Sequence, residues 1–198
     1  MKYPDKFQDL IDSFQRYPGI GPKTAERLAF YTISDKNKEQ SEEFAKNIVE
    51  AINTVKHCKI CGMLADKDVC DICSDENREN KLLIVEDTKD VTAFEKTNVY
   101  HGKYHILNSL ISPTNGKGPD DIGLDSLLQR INTEKPTEVI IATSSNIDGE
   151  LTAMYLSKIL NKRNVKVYRI GYGLPVSANI EYVDEITLAK SLEGKKEM

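Results

Sequence analysis

The sequence predicts a multi-domain α+β protein: a helical N-terminal segment, a small four-cysteine module, an α/β domain with a mostly parallel sheet, and a short C-terminal segment. Three observations carry that prediction. Apolar residues recur at helical spacing as far as Lys56, all four cysteines lie between Cys58 and Cys73, and beyond Asn80 short apolar runs alternate with a helical stretch. The chain has 198 residues, 39% hydrophobic and 29% charged, which suits one or two compact units with sizeable cores. Its 27 basic and 31 acidic side chains leave a net charge of −4, which argues against indiscriminate coating of nucleic acid but says nothing of local patches. No apolar run approaches the ~20 residues of a membrane-spanning helix. The opening Met1-Lys2-Tyr3-Pro4-Asp5-Lys6-Phe7 lacks the apolar stretch of a secretory signal, so a cytoplasmic location with no membrane partner is expected.

In the N-terminal segment Phe7, Leu10, Ile11 and Phe14 recur at helical spacing until Tyr17-Pro18-Gly19-Ile20-Gly21-Pro22 breaks the pattern. A second helical run begins at Lys23, with Ala25, Leu28 and Ala29 on one face. Gly19 and Gly21 permit a tight turn, and Pro22 suits a first helical position, so exposed backbone N–H groups at that helix N-terminus can hold an anion. The unit resembles the helix-hairpin-helix motif, which grips nucleic-acid backbone without reading sequence. Lys23 and Arg27, four residues apart on one face, are the expected phosphate partners. The bland alternative is a helical hairpin with two solvated cations. Residues 1–35 carry five basic and five acidic side chains, so any grip on DNA is local and gains from several copies on one strand. Lys36 to Lys56 continues as an amphipathic spacer or packing helix with Phe44, Ile48, Ala51, Ile52 and Val55 on one side.

The spacing Cys58-x2-Cys61-x8-Cys70-x2-Cys73 aims four thiolates from two tight turns at one centre, the donor set of structural Zn2+. Disulfides are the alternative, and a reducing cytosol disfavours them. Gly62 suits the first turn, and His57 reads as a bystander. A full thiolate shell leaves no site for water, so the metal is expected to hold the fold and perform no chemistry. The residues between the knuckles are too few for a core of their own, so metal binding supplies folding free energy.

Beyond Asn80, Leu82-Leu83-Ile84-Val85, Val139-Ile140-Ile141-Ala142 and Val165 to Ile170 read as strands, with a helix from Gly149 to Asn161 between the last two. Strand, helix, strand indicates a parallel sheet, in which ligands collect at the carboxyl ends of strands. Glu86 and Asp87 follow the first strand and Asp148-Gly149-Glu150 the second. Acidic side chains from neighbouring strand ends suit Mg2+, and Asp148 and Glu150, two apart across a glycine, could both face one ion. Helix capping and dipole compensation explain the same pair equally well. His101 and His105 flank a loop entering a strand and read as structural. Residues 151–180 hold Lys158, Lys162, Arg163, Lys166 and Arg169 and no acid, which is either a DNA-facing strip or a solvated helix face. Gly171 to Val176 reads as a turn-rich connection, Glu185 to Leu188 as a short strand or helix start, and Lys195 to Met198 as a frayed tail.

The order of parts resembles the RecR family of bacterial recombination mediators over essentially the whole chain. The resemblance rests on Tyr17-Pro18-Gly19-Ile20-Gly21-Pro22-Lys23, the cysteine pairs, Leu83-Ile84-Val85-Glu86, Tyr100-x-Gly102-x-Tyr104-His105 and Glu181-Tyr182-x-Asp184-Glu185. The α/β part is similar to Toprim domains, whose shared acids correspond here to Glu86, Asp148 and Glu150. Ser144-Ser145-Asn146 and Ser177-Ala178-Asn179 depart from the family's usual Asn-Pro-Thr and Gly-Gly-Asp. The resemblance implies a helix-hairpin-helix region at 1–54, a four-cysteine zinc finger at 55–79, a Toprim domain at 80–175 and a C-terminal assembly segment at 176–198. It also implies a nucleoid-associated DNA-repair protein that is not an enzyme. Such a protein binds single- and double-stranded DNA through Gly19, Gly21, Lys23 and Arg27. It self-associates into a dimer or tetramer ring and works with RecO and RecF to load recombinase onto single strands. The acidic cluster then contacts Mg2+ or a partner's basic surface. One alternative is a Mg2+-dependent Toprim enzyme (nuclease, primase or topoisomerase-like), for which no nucleophile stands out; another is a zinc-stapled adaptor that never touches DNA.

Overall fold

A computed structural model describes residues 3–174 and 177–195. The chain divides into two compact units, Met1–Val55 and Lys56–Met198. The expected connection through Pro175 and Val176, and the last three residues of the expected tail, lie outside the described residues.

In the first unit α1 (Asp5–Gln15) and α2 (Pro22–Ile33) pack on Phe7, Ile11, Ala25 and Ala29. Ala25 and Ala29 are fully buried, and their small side chains let the two helices approach closely. Phe7 and Phe30 meet at a tilt of 57° with ring centroids 4.7 Å apart, and Tyr3 meets both edge-on. A 3-10 turn at Asp35–Asn37 leads into α3 (Lys38–Thr54). The expected packing role of this helix is met in part: none of its residues is buried, yet Phe44, Ala45 and Ile48 line one cavity with Leu10, Phe14, Leu28 and Tyr31 of the first two helices. Much of its apolar stripe still meets solvent, with Phe44 55% and Ile52 75% exposed.

The second unit opens with the two-residue strands β1 (Lys56–His57) and β2 (Leu64–Ala65), paired antiparallel, and the helical turn α4 (Asp71–Ser74). It continues with β3 (Lys81–Val85), α5 (Thr88–Thr97), β4 (Lys103–Ile106), α6 (Leu124–Glu134), β5 (Glu138–Ile141), α7 (Ile147–Leu160), β6 (Lys166–Arg169) and α8 (Glu185–Glu193). The Glu185 segment is therefore a helix, started by Asp184, whose side chain accepts from Thr187 N at 2.9 Å.

The four-stranded sheet is parallel throughout, in the order β4-β3-β5-β6. Strand β3 is central and buried on both faces, as its unbroken apolar run requires. Leu82 and Ile84 join Leu127 and Ile131 of α6 and Leu156 and Leu160 of α7 in one core layer. Leu83 and Val85 join Val91 and Phe94 of α5, Tyr104, and Met63 and Ile72 of the cysteine module in the other. From β3 the chain passes to β4 on one side, then returns to β5 on the other. That reversal opens a crevice at the carboxyl ends of β3 and β5.

The cysteine module is built onto this unit. Ile106 N donates to Cys61 O at 2.8 Å, so the outer edge of β4 is covered by the first knuckle. His105 lies on β4 opposite Ile84 and is 3% exposed, in keeping with its structural reading. Behind α5, Arg78 forks onto the Glu95 carboxylate and also reaches Gly102 O at 3.0 Å, while Tyr104 OH donates to Glu95 at 2.6 Å.

Helix α7 is placed by a close approach. A Cβ on Gly149 would lie 2.2 Å from the Ser144 carbonyl oxygen, so only glycine lets the helix sit against the loop that follows β5. Gly149→Ala is expected to destabilise the protein by about 1–3 kcal/mol through overpacking against backbone. Urea unfolding of the second unit checks this, and an unchanged midpoint would contradict the contact.

Candidate zinc centre, nucleic-acid face and acidic crevice

Cys58, Cys61, Cys70 and Cys73 are all buried, and their sulfur atoms lie within 4.8 Å of one another. Among the described residues no other group of three or more His, Cys, Asp or Glu side chains draws together in this way. A tetrahedral Zn2+ with thiolates at ~2.3 Å requires sulfurs about 3.8 Å apart. Cys61 and Cys70 stand at 3.6 Å, and the donor set fits zinc.

The first knuckle closes by Cys58 N donating to Met63 O at 2.7 Å and Gly62 N to Cys58 O at 2.9 Å. Gly62 takes a φ of +80°, the left-handed region the turn demands. The second knuckle is the α4 turn, where Cys73 N and Ser74 N both donate to Cys70 O at 3.1 Å. His57 is a bystander as expected, its Nδ1 engaging Gly62 O at 2.9 Å. A hydrogen bond from Cys61, against burial and with the Arg130 charge in its favour, brings the Cys73 thiol below its ordinary value. The centre is a zinc-binding site.

In the first unit the turn between α1 and α2 uses Gly19 at φ +81°, with Ile20 N donating to Tyr17 O at 3.2 Å. Gly21 precedes α2 and Pro22 opens it, yet no side chain caps this N-terminus. Its first-turn N–H groups therefore face outward, with the positive end of the helix dipole behind them. No side-chain atom or backbone stands within 4 Å of where a Cβ on Gly19 or Gly21 would be, so the surface is open. Lys23 and Arg27 are exposed one turn apart beside it. This is the arrangement the sequence predicts.

The acidic groups are placed differently from the expectation. A cavity of about 250 Å³ at the ends of β3 and β5 is lined by Glu86, Asp90, Thr143 and Ser144 among others. The Glu86 carboxylate accepts the backbone N–H of Ser144, the first departure from the family pattern. Asp90 accepts from Glu86 N and Asp87 N, both at 3.0 Å, while the Asp87 side chain accepts from Lys89 N as the N-cap of α5.

Asp148 and Glu150 both fall in the first turn of α7, but its N-cap is Asn146, whose side chain accepts from Gly149 N at 2.7 Å. The cap of the alternative reading is therefore Asn146 and neither acid, while its dipole compensation holds, since both acids stand in the first turn of α7. Residues two apart on a helix point about 200° apart, so Asp148 and Glu150 do not face one ion. Glu150 instead turns toward β6 and the C-terminal segment, where Arg169 Nη2 donates at 2.8 Å, Tyr172 OH also donates, and Lys190 Nζ lies at 3.7 Å. Burial works against its charge, but the hydrogen bonds from Tyr172 and Arg169 and the charges of Arg169 and Lys190 together hold its carboxyl below the usual range.

The basic strip is likewise not uniform. Lys158, Lys162 and Lys166 are exposed, but Arg169 turns inward to Ile141 O, Thr143 O and Ser144 O at 2.9, 2.7 and 3.0 Å. Arg163 reaches Asn132 at 3.1 Å. Sequence reasoning missed Asp90, whose signal was its place three residues after Asp87 in a capping box. It also missed the Arg169, Tyr172 and Lys190 partnership, for which no local signal exists.

Four family descriptions match the chain in order: the RecR helix-hairpin-helix over residues 7–52, the RecR zinc finger domain of four-cysteine type over 55–75, the Toprim domain over 80–171 and the RecR C-terminal region over 173–196. The Recombination protein RecR of Streptococcus thermophilus is 51% identical over 199 aligned positions, covering 100% of both chains. That of Streptococcus pyogenes serotype M49 (strain NZ131) is 50% identical over the same span.

Cys73→Ser is expected to cost most of the bound zinc and to lower the melting temperature, read by metal analysis and calorimetry on the same sample. Full zinc content with unchanged melting would remove Cys73 from the centre. His105 gives a second expectation. Burial, and then the Arg130 charge, hold its imidazole down to about 4, against an unfolded value near 6.5. The unfolded chain binds the extra proton between those values, so stability is complete above about 6.5 and falls by as much as roughly 3 kcal/mol as the pH drops to 4. His105→Leu should flatten that acid limb in urea titrations compared between pH 7.5 and pH 4.5.

Proposed function

Because the chain belongs to the RecR family of recombination proteins, we propose that it works in recombinational DNA repair as a DNA-binding mediator without catalytic turnover. The observation that carries this reading is the uncapped N-terminus of α2, open to solvent, with Lys23 and Arg27 exposed beside it and no ion pair to another described residue. Phosphate oxygens are the ligand that this geometry suits, on single- or double-stranded DNA and without base readout.

A single copy offers few contacts, and self-association into a dimer or tetramer ring multiplies them along one strand. The exposed apolar stripe of α3 and the exposed Ile180, Tyr182, Ile186 and Leu192 near the C-terminus support such assembly, since a chain acting alone would leave both to water. In this reading residues 1–54 bind DNA, 55–79 hold zinc, 80–175 form the Toprim domain and 176–198 serve assembly.

Glu86 and Asp90 at the crevice, with Asp148 in the first turn of α7, present negative charge to a basic surface of a RecO- or RecF-type partner, with which the protein loads recombinase. The engagement of Glu150 by Arg169, Tyr172 and Lys190 favours this use of the crevice over Mg2+-dependent chemistry.

Lys23→Ala with Arg27→Ala is expected to weaken binding of labelled DNA at least tenfold at low salt. It should also reduce the slope of log affinity on log salt by about 2, one for each lost phosphate contact. Fluorescence anisotropy across a salt series reads both, and melting of the variant confirms that it is folded. Unchanged affinity would remove these residues from the interface. DNA cut or joined in Mg2+ by the wild-type chain, and left intact by Glu86→Gln, would replace the mediator with a Toprim enzyme.

A further inference from the structure

Arg130 lies on α6, in the α/β part of the second unit, with its side chain only 5% exposed. Its guanidinium is shared three ways. Nη1 donates to the Tyr104 carbonyl of β4, Nε to Glu134 Oε1 at 3.0 Å, and Nη2 to Cys73 Sγ at 3.8 Å. Among the described residues it is the one side chain outside the cysteine cluster that donates to a cysteine sulfur. The other donors are backbone, Met63 N to Cys61 at 3.5 Å and Cys70 N to Cys58 at 3.3 Å.

Zinc held by four thiolates carries a net charge of 2 − 4 = −2, and these four sulfurs are buried. A buried charge is costly unless opposite charge and hydrogen-bond donors meet it. The neighbouring lysines do not do so: Lys59 pairs with Asp68 and Lys67 with Asp71 in exposed ion pairs. Glu134 does not cancel the guanidinium charge either, because at 28% exposure it is partly solvated.

We infer that Arg130 is the outer partner of the zinc centre: it holds the Cys73 thiolate in place, offsets the charge of the cluster, and couples metal binding to the packing of α6 against β4. Strand β4 is gripped at two alternate residues, Tyr104 through Arg130 to the second knuckle and Ile106 directly to Cys61 of the first, so both knuckles report to the same edge of the sheet. A lysine carries the charge but not the fork, and meets one of the three acceptors at a time. Arg130 is a positioning residue, and groups in that role set metal affinity and thiolate electronics together.

The test uses the zinc-loaded full chain in competition with a chromogenic chelator. Arg130→Gln should release zinc about 10–100-fold more readily, and Arg130→Lys should recover part of the loss. Lys67→Ala, beside the second knuckle but remote from its sulfurs, should behave as wild type. Co2+ substitution supplies a readout that a purely structural role would not move, because loss of an N–H donor to Cys73 should shift the sulfur-to-cobalt charge-transfer band in Arg130→Gln. Wild-type release with an unshifted band in a folded Arg130→Gln would overturn the inference. Should Arg130→Gln not fold, the wild-type chain still decides: zinc removal should accelerate amide exchange in β4 and α6 ahead of β6. Equal protection in all three elements would count against the coupling.

Discussion

Burial of β3 on both faces and its pairing on both edges is the constraint from which the second unit takes its arrangement. Alternate side chains of Leu82-Leu83-Ile84-Val85 anchor opposite layers, α6 and α7 on one side, α5 and the cysteine module on the other. The strand end then places Glu86 against the loop after β5, because the chain leaves β3 toward β4 and comes back on the other side. The zinc centre is referenced to the β4 side of this strand and the Arg169 cluster to the β6 side. Neither has a position independent of the sheet.

Charge inside this unit follows one pattern. Arg78, Arg130 and Arg169 each bridge a carboxylate and a main-chain carbonyl at a strand or its end: Glu95 and Gly102 O, Glu134 and Tyr104 O, Glu150 and Ile141 O. A planar fork with several fixed donors suits such bridging better than an ammonium. Tyr104 O belongs to the edge strand β4, whereas Ile141 O already accepts from Ile170 N at 3.0 Å, so there the arginine adds a second donor to a paired carbonyl. These are ties between layers more than ion pairs, which at partly exposed sites contribute little by themselves.

Features whose cause is local can be read from the residues alone. The cysteine spacing, the Gly19 turn, the Pro22 helix start and the apolar runs of β3, β5 and β6 all express chemistry within a few positions, and the structure holds each of them. Strand β4 is harder to see, because Lys103-Tyr104-His105-Ile106 is not an apolar run; its burial comes from a sheet neighbour and a knuckle far off in the sequence. Arg169 reads as one cation of a solvated strip, and only the fold brings it to Glu150. Asp148 and Glu150 suit a shared ion only while the helix start is left open; once α7 begins at Ile147, helical geometry turns them apart. Arg130 and Cys73 are 57 positions apart, a separation over which no periodicity carries information.

The cover that the first knuckle gives to β4 also bears on how the chain reaches its native state. Until the cysteines have metal, the outer edge of Lys103–Ile106 has no assured partner, and an open edge strand is a template for pairing with another chain. Parallel pairing between β3 and β5 joins segments distant in sequence and forms slowly, which prolongs the exposure. An order of events in which zinc closes the knuckle early is therefore the one that shortens exposure of that edge, apart from anything the metal contributes to the finished protein.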